Sequence, residues 1–186
     1  MARGMTRVLE WVIVLYFTSH ILITICVDSQ MILPSRLFPQ GLRDILTDHC
    51  ERFKDPLTCT PDPHPWFLSF VYGECLLQFP FFFVAVYAFY KGSCKWIRIP
   101  SIIYSVHTMT TLQAILSQIL FQDFTNSPSP GPTTTQERLL LSLFFWPYAI
   151  LPLCILLLVS FSKDYNPSLD TQTNVRAARS TKHKMR

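Results

Sequence analysis

Two acidic residues interrupt stretches that are otherwise apolar, and they are the first candidates for chemistry. Glu74 lies well inside the stretch 66–90, Gln78 follows one turn later, and Asp28 closes the stretch 8–27. An ionisable side chain costs about 2.5–3.5 kcal/mol at the centre of a bilayer, so such residues mark functional sites by default. Gln78 shares a helix face with Glu74 because four residues separate them. We interpret the two as part of a pocket, the alternative being that Glu74 is a neutral, hydrogen-bonded packing residue.

Polar side chains form stripes along two of the predicted helices. Their spacing of three or four residues places each set on one helix face. One stripe comprises Tyr16, His20, Thr24 and Asp28, and the other comprises Tyr104, His107, Thr108 and Thr111. In a membrane such faces turn toward protein or water, and they predict a polar patch in a cavity between the helices. For the threonines the alternative is that they only join neighbouring helices.

The composition is that of a membrane protein. Of the 186 residues, 49% are hydrophobic and 15% are charged, whereas soluble domains carry about 25% charged residues. The mean hydropathy is +0.27. Motifs for nucleotide, dinucleotide and zinc binding are absent from the sequence. We therefore expect no metal and no cofactor. The sequence also has no basic stripe, so we expect no binding of nucleic acid.

Four apolar stretches are long enough to cross about 30 Å of hydrocarbon. They predict an all-α membrane protein: a four-transmembrane-helix bundle with a proline-kinked second helix and a short lumenal amphipathic helix. This amphipathic helix is expected at 41–53, over the mouth of the bundle. We expect the kink at Pro80, which leaves the carbonyl of Leu76 without its helical donor. The predicted spans are 8–27, 66–90, 99–121 and 139–161 within a membrane domain 1–162, followed by a disordered tail 163–186.

The distribution of charge predicts the topology. Most of the 16 basic residues fall on the side that holds both termini, so the positive-inside rule places both termini in the cytosol. A cleaved signal peptide is the alternative for the first span. Glu10 lies within its apolar part, and no small-residue cleavage pattern follows, so we favour a membrane helix.

The tail and the first loop carry further signals. Lys182 and Lys184 lie near the C-terminus in a dilysine-like pattern, which predicts retention in the endoplasmic reticulum; a generic basic end is the alternative. In the loop, Asp55 precedes a proline and is expected to cap a turn. Cys50 and Cys59 share this predicted lumenal loop, and either a disulfide or two free thiols would fit.

Three segments resemble a known family. They are LYFTSHILIT at 15–24, FKDPL at 53–57 and YKGSCKWIRIPSIIYSVHTMTTL at 90–112. They are similar to the sigma-2 receptor family (transmembrane protein 97), within the wider group that contains the emopamil-binding sterol isomerase. The similarity covers roughly residues 10–161. It implies a pocket within the bundle that binds sterols and hydrophobic amines, a link to cholesterol homeostasis, the Niemann–Pick type C cholesterol transporter as a partner, and homodimers.

The resemblance also implies roles for individual residues. Asp28 takes the place of the aspartate that pairs with the amine, and Glu74 that of the buried glutamate bonded to it. The remaining implied positions are the sterol contacts Gln78 and Leu76, the pocket wall at Thr111 and Tyr148, and the structural loop residue Asp55. Phe145 departs from the family because a pocket tyrosine is expected there.

Three functions remain open at this point. The first is a non-enzymatic receptor for sterols and hydrophobic amines in the endoplasmic reticulum membrane, with the nuclear envelope as a further location. The second is a sterol isomerase, which needs an acid and a base about one substrate, with His20 or His107 beside Glu74 as candidates. The third is a trafficking adaptor for a cholesterol transporter. We favour the receptor because Asp28 and Glu74 are expected to pair with each other.

Overall fold

The computed structural model describes residues 3–60, 62–125 and 131–167. Within this part of the chain the regular structure is helical. The α-helices are α1 (Arg3–Cys26), α2 (Gln40–Phe53), α3 (Pro65–Gly73), α4 (Phe79–Lys91), α5 (Arg98–Phe121), α6 (Thr135–Leu143) and α7 (Trp146–Phe161). Short 3₁₀ turns cover Asp28–Met31, Ser35–Leu37 and Lys95–Ile97. The all-helical prediction is therefore confirmed for the described residues.

A π-helical turn, Glu74–Gln78, joins α3 to α4 where the sequence predicted a proline kink. The N–H of Phe79 donates to the carbonyl of Glu74, five residues earlier. Pro80 then falls in the first turn of α4, where a missing N–H costs little. The predicted kink is not confirmed: Pro65–Lys91 forms one helix of 27 residues that is long and apolar enough to cross a membrane.

The last predicted span is broken. Helices α6 and α7 meet at an angle of 46°, and Pro147 lies in the first turn of α7. Proline has no N–H to donate to the carbonyl four residues earlier, and its ring clashes with that carbonyl, which explains why the preceding helix does not continue through Pro147. A single apolar stretch in the sequence thus corresponds to two helices.

By length and apolarity, the described helices provide two membrane spans or up to three. The two are Gly4–Met31 and Pro65–Lys91, and the bent pair α6 and α7 is a third if it counts as one span. Helix α5 is long enough, with 24 residues, but it is not apolar enough to count as a span. Serine, threonine, histidine and glutamine residues interrupt its apolar sequence. The predicted count of four membrane spans is therefore not confirmed.

The helices pack in two main pairs around an aromatic core. Helix α1 lies against α4, and α5 lies against α7. Phe17, Phe82, Phe89 and Tyr104 are buried between them. The outer surface is apolar, which suits contact with lipid rather than water. Its most exposed residues include Leu15, Leu22, Leu76, Leu77, Ile103 and Phe161.

Glu10 forms a buried polar cluster at the start of α1. Its carboxylate accepts hydrogen bonds from the hydroxyl of Tyr165 at 2.5 Å and the N–H of Ser93 at 3.3 Å, and it pairs with Arg7 at 2.9 Å. Burial, followed by the bond to Glu10, raises the pKa of Tyr165 above its usual range, so the phenol remains a donor. Gly92 packs against this cluster and has a φ of 76°, in the left-handed region that favours glycine. A Cβ at this position would lie 2.7 Å from Nη1 of Arg7, which also favours glycine there. The cluster ties α1 to the segments that follow α4 and α7.

Candidate functional site

A cavity of about 350 Å³ opens among α1, the α3–α4 helix, α5, α7 and α2. Its walls are mostly apolar and aromatic, with a few polar groups among them, which is the usual composition of a small-molecule site. The charged or titratable residues in its lining are His20, Asp28, His49, Asp55, Glu74 and Tyr148. No lysine or arginine is among the described lining residues.

Asp28 and Glu74 form a carboxyl pair inside this cavity. Asp28 begins the 3₁₀ turn that follows α1, and Glu74 begins the π-helical turn. The two side chains are hydrogen-bonded to each other. An ionised carboxylate has only acceptors, so a bond between two carboxyl groups requires that one of them keeps a proton. The pair therefore carries at most one negative charge in a cavity with apolar walls.

Two residues of α1 hold Glu74 in place. The hydroxyl of Thr24 donates to Oε1 of Glu74 at 2.8 Å, and Nε2 of His20 lies 3.2 Å from the same oxygen. Thr24 and His20 are buried and lie four residues apart on one face of the helix. The polar stripe predicted along the first span is therefore the face that meets Glu74.

A second polar group lies one turn beyond the carboxyl pair. The amide of Gln78 donates to Nδ1 of His107 at 2.9 Å, and its carbonyl oxygen accepts from the hydroxyl of Thr108 at 3.1 Å. Thr111 donates to the carbonyl of Thr108 at 3.0 Å, which is a bond within its own helix. The two bonds of Gln78 connect the α3–α4 helix to α5.

The turn after α2 closes one side of the cavity. The carboxylate of Asp55 accepts from the N–H of Leu57 at 2.9 Å and from the hydroxyl of Thr58 at 2.8 Å, and it lies 3.3 Å from Nε2 of His49. Asp55 is 1% exposed. The oxygens of Asp55 are thus occupied by contacts within the turn and with α2.

The structure brings most of the predicted site residues together. Asp28, Glu74, Gln78, Thr111 and Tyr148 all line the cavity, as do Asp55 and Phe145. Leu76 does not: it is 70% exposed on the outer surface, because it lies two residues from both Glu74 and Gln78 and so on the opposite helix face. Lys182 and Lys184 lie outside the described residues.

Several cavity residues were missed in the sequence. Helix α2 contributes Ile45, Leu46 and His49, and the break between α6 and α7 contributes Phe144. The amphipathic pattern of 41–53 predicted a helix lying over the mouth, and its apolar face was the one available signal for Ile45 and Leu46. Nothing in the sequence pointed to Phe144, because its position depends on the bend between two helices.

His20, Asp28 and Glu74 could also present three donor atoms to a metal ion, since one atom from each lies within 4.8 Å of the others. Oε1 of Glu74 is already bonded to Thr24 and His20. Asp28 is bonded to Glu74. Both carboxyl groups are therefore already engaged in hydrogen bonds within the cluster.

A disulfide joins Cys50 to Cys59, which decides between the two alternatives left open by the sequence. It fastens α2 to the Asp55 turn. Helix α2 itself has no buried residue, so its attachment depends on few contacts. Two of these are the Lys54–Glu137 ion pair at 2.6 Å and the edge-on packing of Phe53 against Phe144.

Replacing both Cys50 and Cys59 with serine is expected to loosen α2. Closing a loop of this length stabilises by about 2–3 kcal/mol in the chain-entropy description. The amides of residues 40–53 should therefore exchange with solvent roughly 30- to 150-fold faster, as measured by hydrogen exchange. Cys26→Ser, a change at a free cysteine, is the control. Unchanged exchange in the double variant would mean that the non-covalent contacts alone hold the helix.

Comparison with known proteins places these features in a family. The profile of the EXPERA family (EXPanded EBP superfamily) matches residues 41–159. The sigma intracellular receptor 2 of Xenopus tropicalis is 50% identical over 159 residues, covering 86% of this chain and 92% of its own. The human sigma intracellular receptor 2 is 48% identical over 167 residues, covering 88% and 94%. The chain belongs to the sigma-2 receptor family, within the expanded EBP superfamily.

Proposed function

We propose that this chain is a membrane receptor whose cavity binds hydrophobic cationic amines and sterols. The observation that carries the proposal is the carboxyl pair of Asp28 and Glu74, which can hold one negative charge in a mostly apolar cavity. A protonated amine attached to an apolar body matches both properties. The names of the two relatives support the receptor part of this proposal.

The lining supports an ammonium ion near Asp28. The cavity contains no described lysine or arginine that would compensate the charge of the pair. A charge-assisted hydrogen bond from an ammonium N–H to a carboxylate is roughly twice as strong as a neutral one. The aromatic rings of Phe70 and Tyr148 line the same cavity and would contact the apolar part of the ligand.

A sterol would use the same cavity differently. Its ring system is apolar and would pack against residues such as Val27, Phe67 and Leu112. Its single hydroxyl could bond to the carboxyl pair or to Gln78. A volume of about 350 Å³ falls in the range of pockets for drug-sized ligands. Sterol and amine are therefore expected to compete.

The proposal includes a cellular setting. In it the four apolar segments form a four-helix bundle in the endoplasmic reticulum membrane, and in the nuclear envelope, with both termini in the cytosol. Lys182 and Lys184 act as the retrieval signal. The receptor regulates cholesterol homeostasis as a homodimer and as a partner of the Niemann–Pick type C cholesterol transporter. The family resemblance and the distribution of basic residues support this setting.

Sterol isomerisation receives less support. It requires an acid and a base on opposite sides of one substrate. His20, Asp28 and Glu74 instead cluster within 4.8 Å of one another, on one side of the cavity. We therefore propose a receptor and not an enzyme.

Equilibrium binding tests the proposal. The full chain, purified into lipid nanodiscs, should bind a tritiated hydrophobic tertiary amine saturably, and cholesterol or an oxysterol should displace it. The same preparation should leave an added sterol chemically unchanged. Absence of saturable binding to folded protein would contradict the receptor function, and the adaptor hypothesis would then be examined by affinity capture with the cholesterol transporter.

A further inference from the structure

His20 occupies a fixed position in the cavity wall. Its side chain is buried, with 5% of the residue exposed. The ring stacks on Phe82 with centroids 4.5 Å apart, and it meets Tyr148 and Tyr16 edge-on at 4.9 and 5.5 Å. Three rings thus leave the imidazole little freedom to rotate. Its Nε2 atom is held where it can donate to Glu74.

The two ring nitrogens of His20 have different surroundings. Nε2 lies 3.2 Å from Oε1 of Glu74, whereas Nδ1 is buried and has no hydrogen-bond partner among the described residues. An imidazolium would place a second N–H at Nδ1, and an unsatisfied buried donor costs about 1–3 kcal/mol. The geometry therefore favours the neutral ring with its proton on Nε2, which donates to Glu74.

Glu74 consequently receives two neutral donors on one oxygen, from His20 and from Thr24. Hydrogen bonds to a carboxylate stabilise its charged form. Without them, a carboxyl pair in an apolar cavity would tend to keep a proton on each member and to be neutral. With them, the pair of Asp28 and Glu74 retains one negative charge, and no lysine or arginine is among the described residues that line the cavity with it.

We propose that His20 determines the preference of the pocket for cationic over neutral ligands. It does so as a positioning residue, by donating its Nε2 proton to Glu74 and so keeping the Asp28–Glu74 pair singly charged. The inference rests on the proposed binding of amines and sterols in this cavity. It assigns to His20 a role that does not require contact with the ligand's nitrogen.

The chain offers a matched pair of variants for the test. In His20→Gln the amide nitrogen lies the same number of bonds from Cβ as Nε2 of histidine, and it carries N–H donors. His20→Met has a similar length and no donor. Both variants lose the aromatic stacking equally, so the difference between them reports the hydrogen bond to Glu74. His20→Phe, which retains the ring and removes the donor, provides a second comparison if His20→Met does not fold.

Two ligands of the same shape separate charge from packing. One is a hydrophobic tertiary amine, and the other is its carbon isostere, in which the nitrogen is replaced by CH. Affinities are measured by equilibrium binding to the full chain in nanodiscs, together with the thermal midpoint of each variant. We expect His20→Met to weaken the amine at least tenfold and to change the isostere less than twofold. His20→Gln should restore most of the affinity for the amine.

Each other outcome has a definite meaning. Equal weakening of the amine and the isostere in His20→Met would show that His20 only packs, and the inference would be overturned. Unchanged affinity for both ligands would overturn it as well. If the wild-type protein binds neither ligand while folded, the receptor function itself is contradicted, which distinguishes that failure from a failure of the His20 role alone.

Discussion

Replacement of Asp28 by asparagine is expected to weaken the binding of a hydrophobic tertiary amine by roughly 10- to 150-fold. The substitution preserves the shape of the side chain, but it prevents the shared proton from moving from Asp28 to Glu74, so the charge of the pair can no longer shift to position 28 when an ammonium ion binds there. A hydrogen bond to a charged group contributes about 1.5–3 kcal/mol, which corresponds to this range. The asparagine amide can still donate to Glu74, so the local structure should survive. Equilibrium binding to purified protein measures the effect.

Asp48→Asn is the matched control for Asp28→Asn. Asp48 is an aspartate on α2 whose side chain is 56% exposed and pairs with Arg52, and it does not line the cavity. Its substitution should leave amine affinity unchanged, and Asp28→Asn should affect a neutral ligand less than twofold. If Asp28→Asn binds the amine as tightly as the wild type, the ammonium pairs elsewhere, and Glu74→Gln becomes the decisive variant.

The positions of these helices could be predicted from the sequence because a long apolar stretch indicates a membrane helix and an amphipathic pattern indicates a surface helix. The predicted stretch 99–121 corresponds to α5, Arg98–Phe121, and the predicted 41–53 to α2, Gln40–Phe53. The π-helical turn at Glu74–Gln78 could not be predicted, because the hydrogen bond that defines it shifts the helix by a single residue. The break before α7 could be suspected from Pro147 but not assigned an angle.

The carboxyl pair was accessible from the sequence for a specific reason. A spacing of four along α1 and in the second span fixes which residues share a face. Acidic residues in apolar segments are expected to face the interior of the bundle or water rather than lipid. Their mutual distance was not accessible, since it depends on how α1 packs against the α3–α4 helix. Leu76 illustrates the point: helical spacing alone directs it away from Glu74, and it is 70% exposed.

Long-range polar contacts were beyond prediction. Glu10 was recognised only as an unexpected charge in an apolar stretch. Its partner Tyr165 lies 155 residues further along the chain, and Ser93 lies 83 residues away. No periodicity connects residues at such separations, so a contact of this kind emerges only when the helices are packed.

Glu10→Ala is expected to destabilise the protein by about 3 kcal/mol, the lower end of the range for breaking a buried ion pair. The change leaves the hydroxyl of Tyr165 and the N–H of Ser93 without their acceptor. Arg7 is partly exposed and keeps its bonds to the carbonyls of Phe89 and Tyr90, which limits the loss. The thermal midpoint in detergent should fall by roughly 6–12 °C for a chain of this size.

Asp48→Ala provides the control for this stability measurement. It breaks an ion pair with Arg52 in which both side chains are more than half exposed, and such pairs contribute about 0–1 kcal/mol. Its thermal midpoint should stay within roughly 3 °C of the wild type. Equal midpoints for Glu10→Ala and the wild type would mean that the cluster does not hold the ends of α1, α4 and α7 together. Since Glu10 lies far from the carboxyl pair along α1, the amine affinity of folded Glu10→Ala should remain that of the wild type, which separates stability from binding.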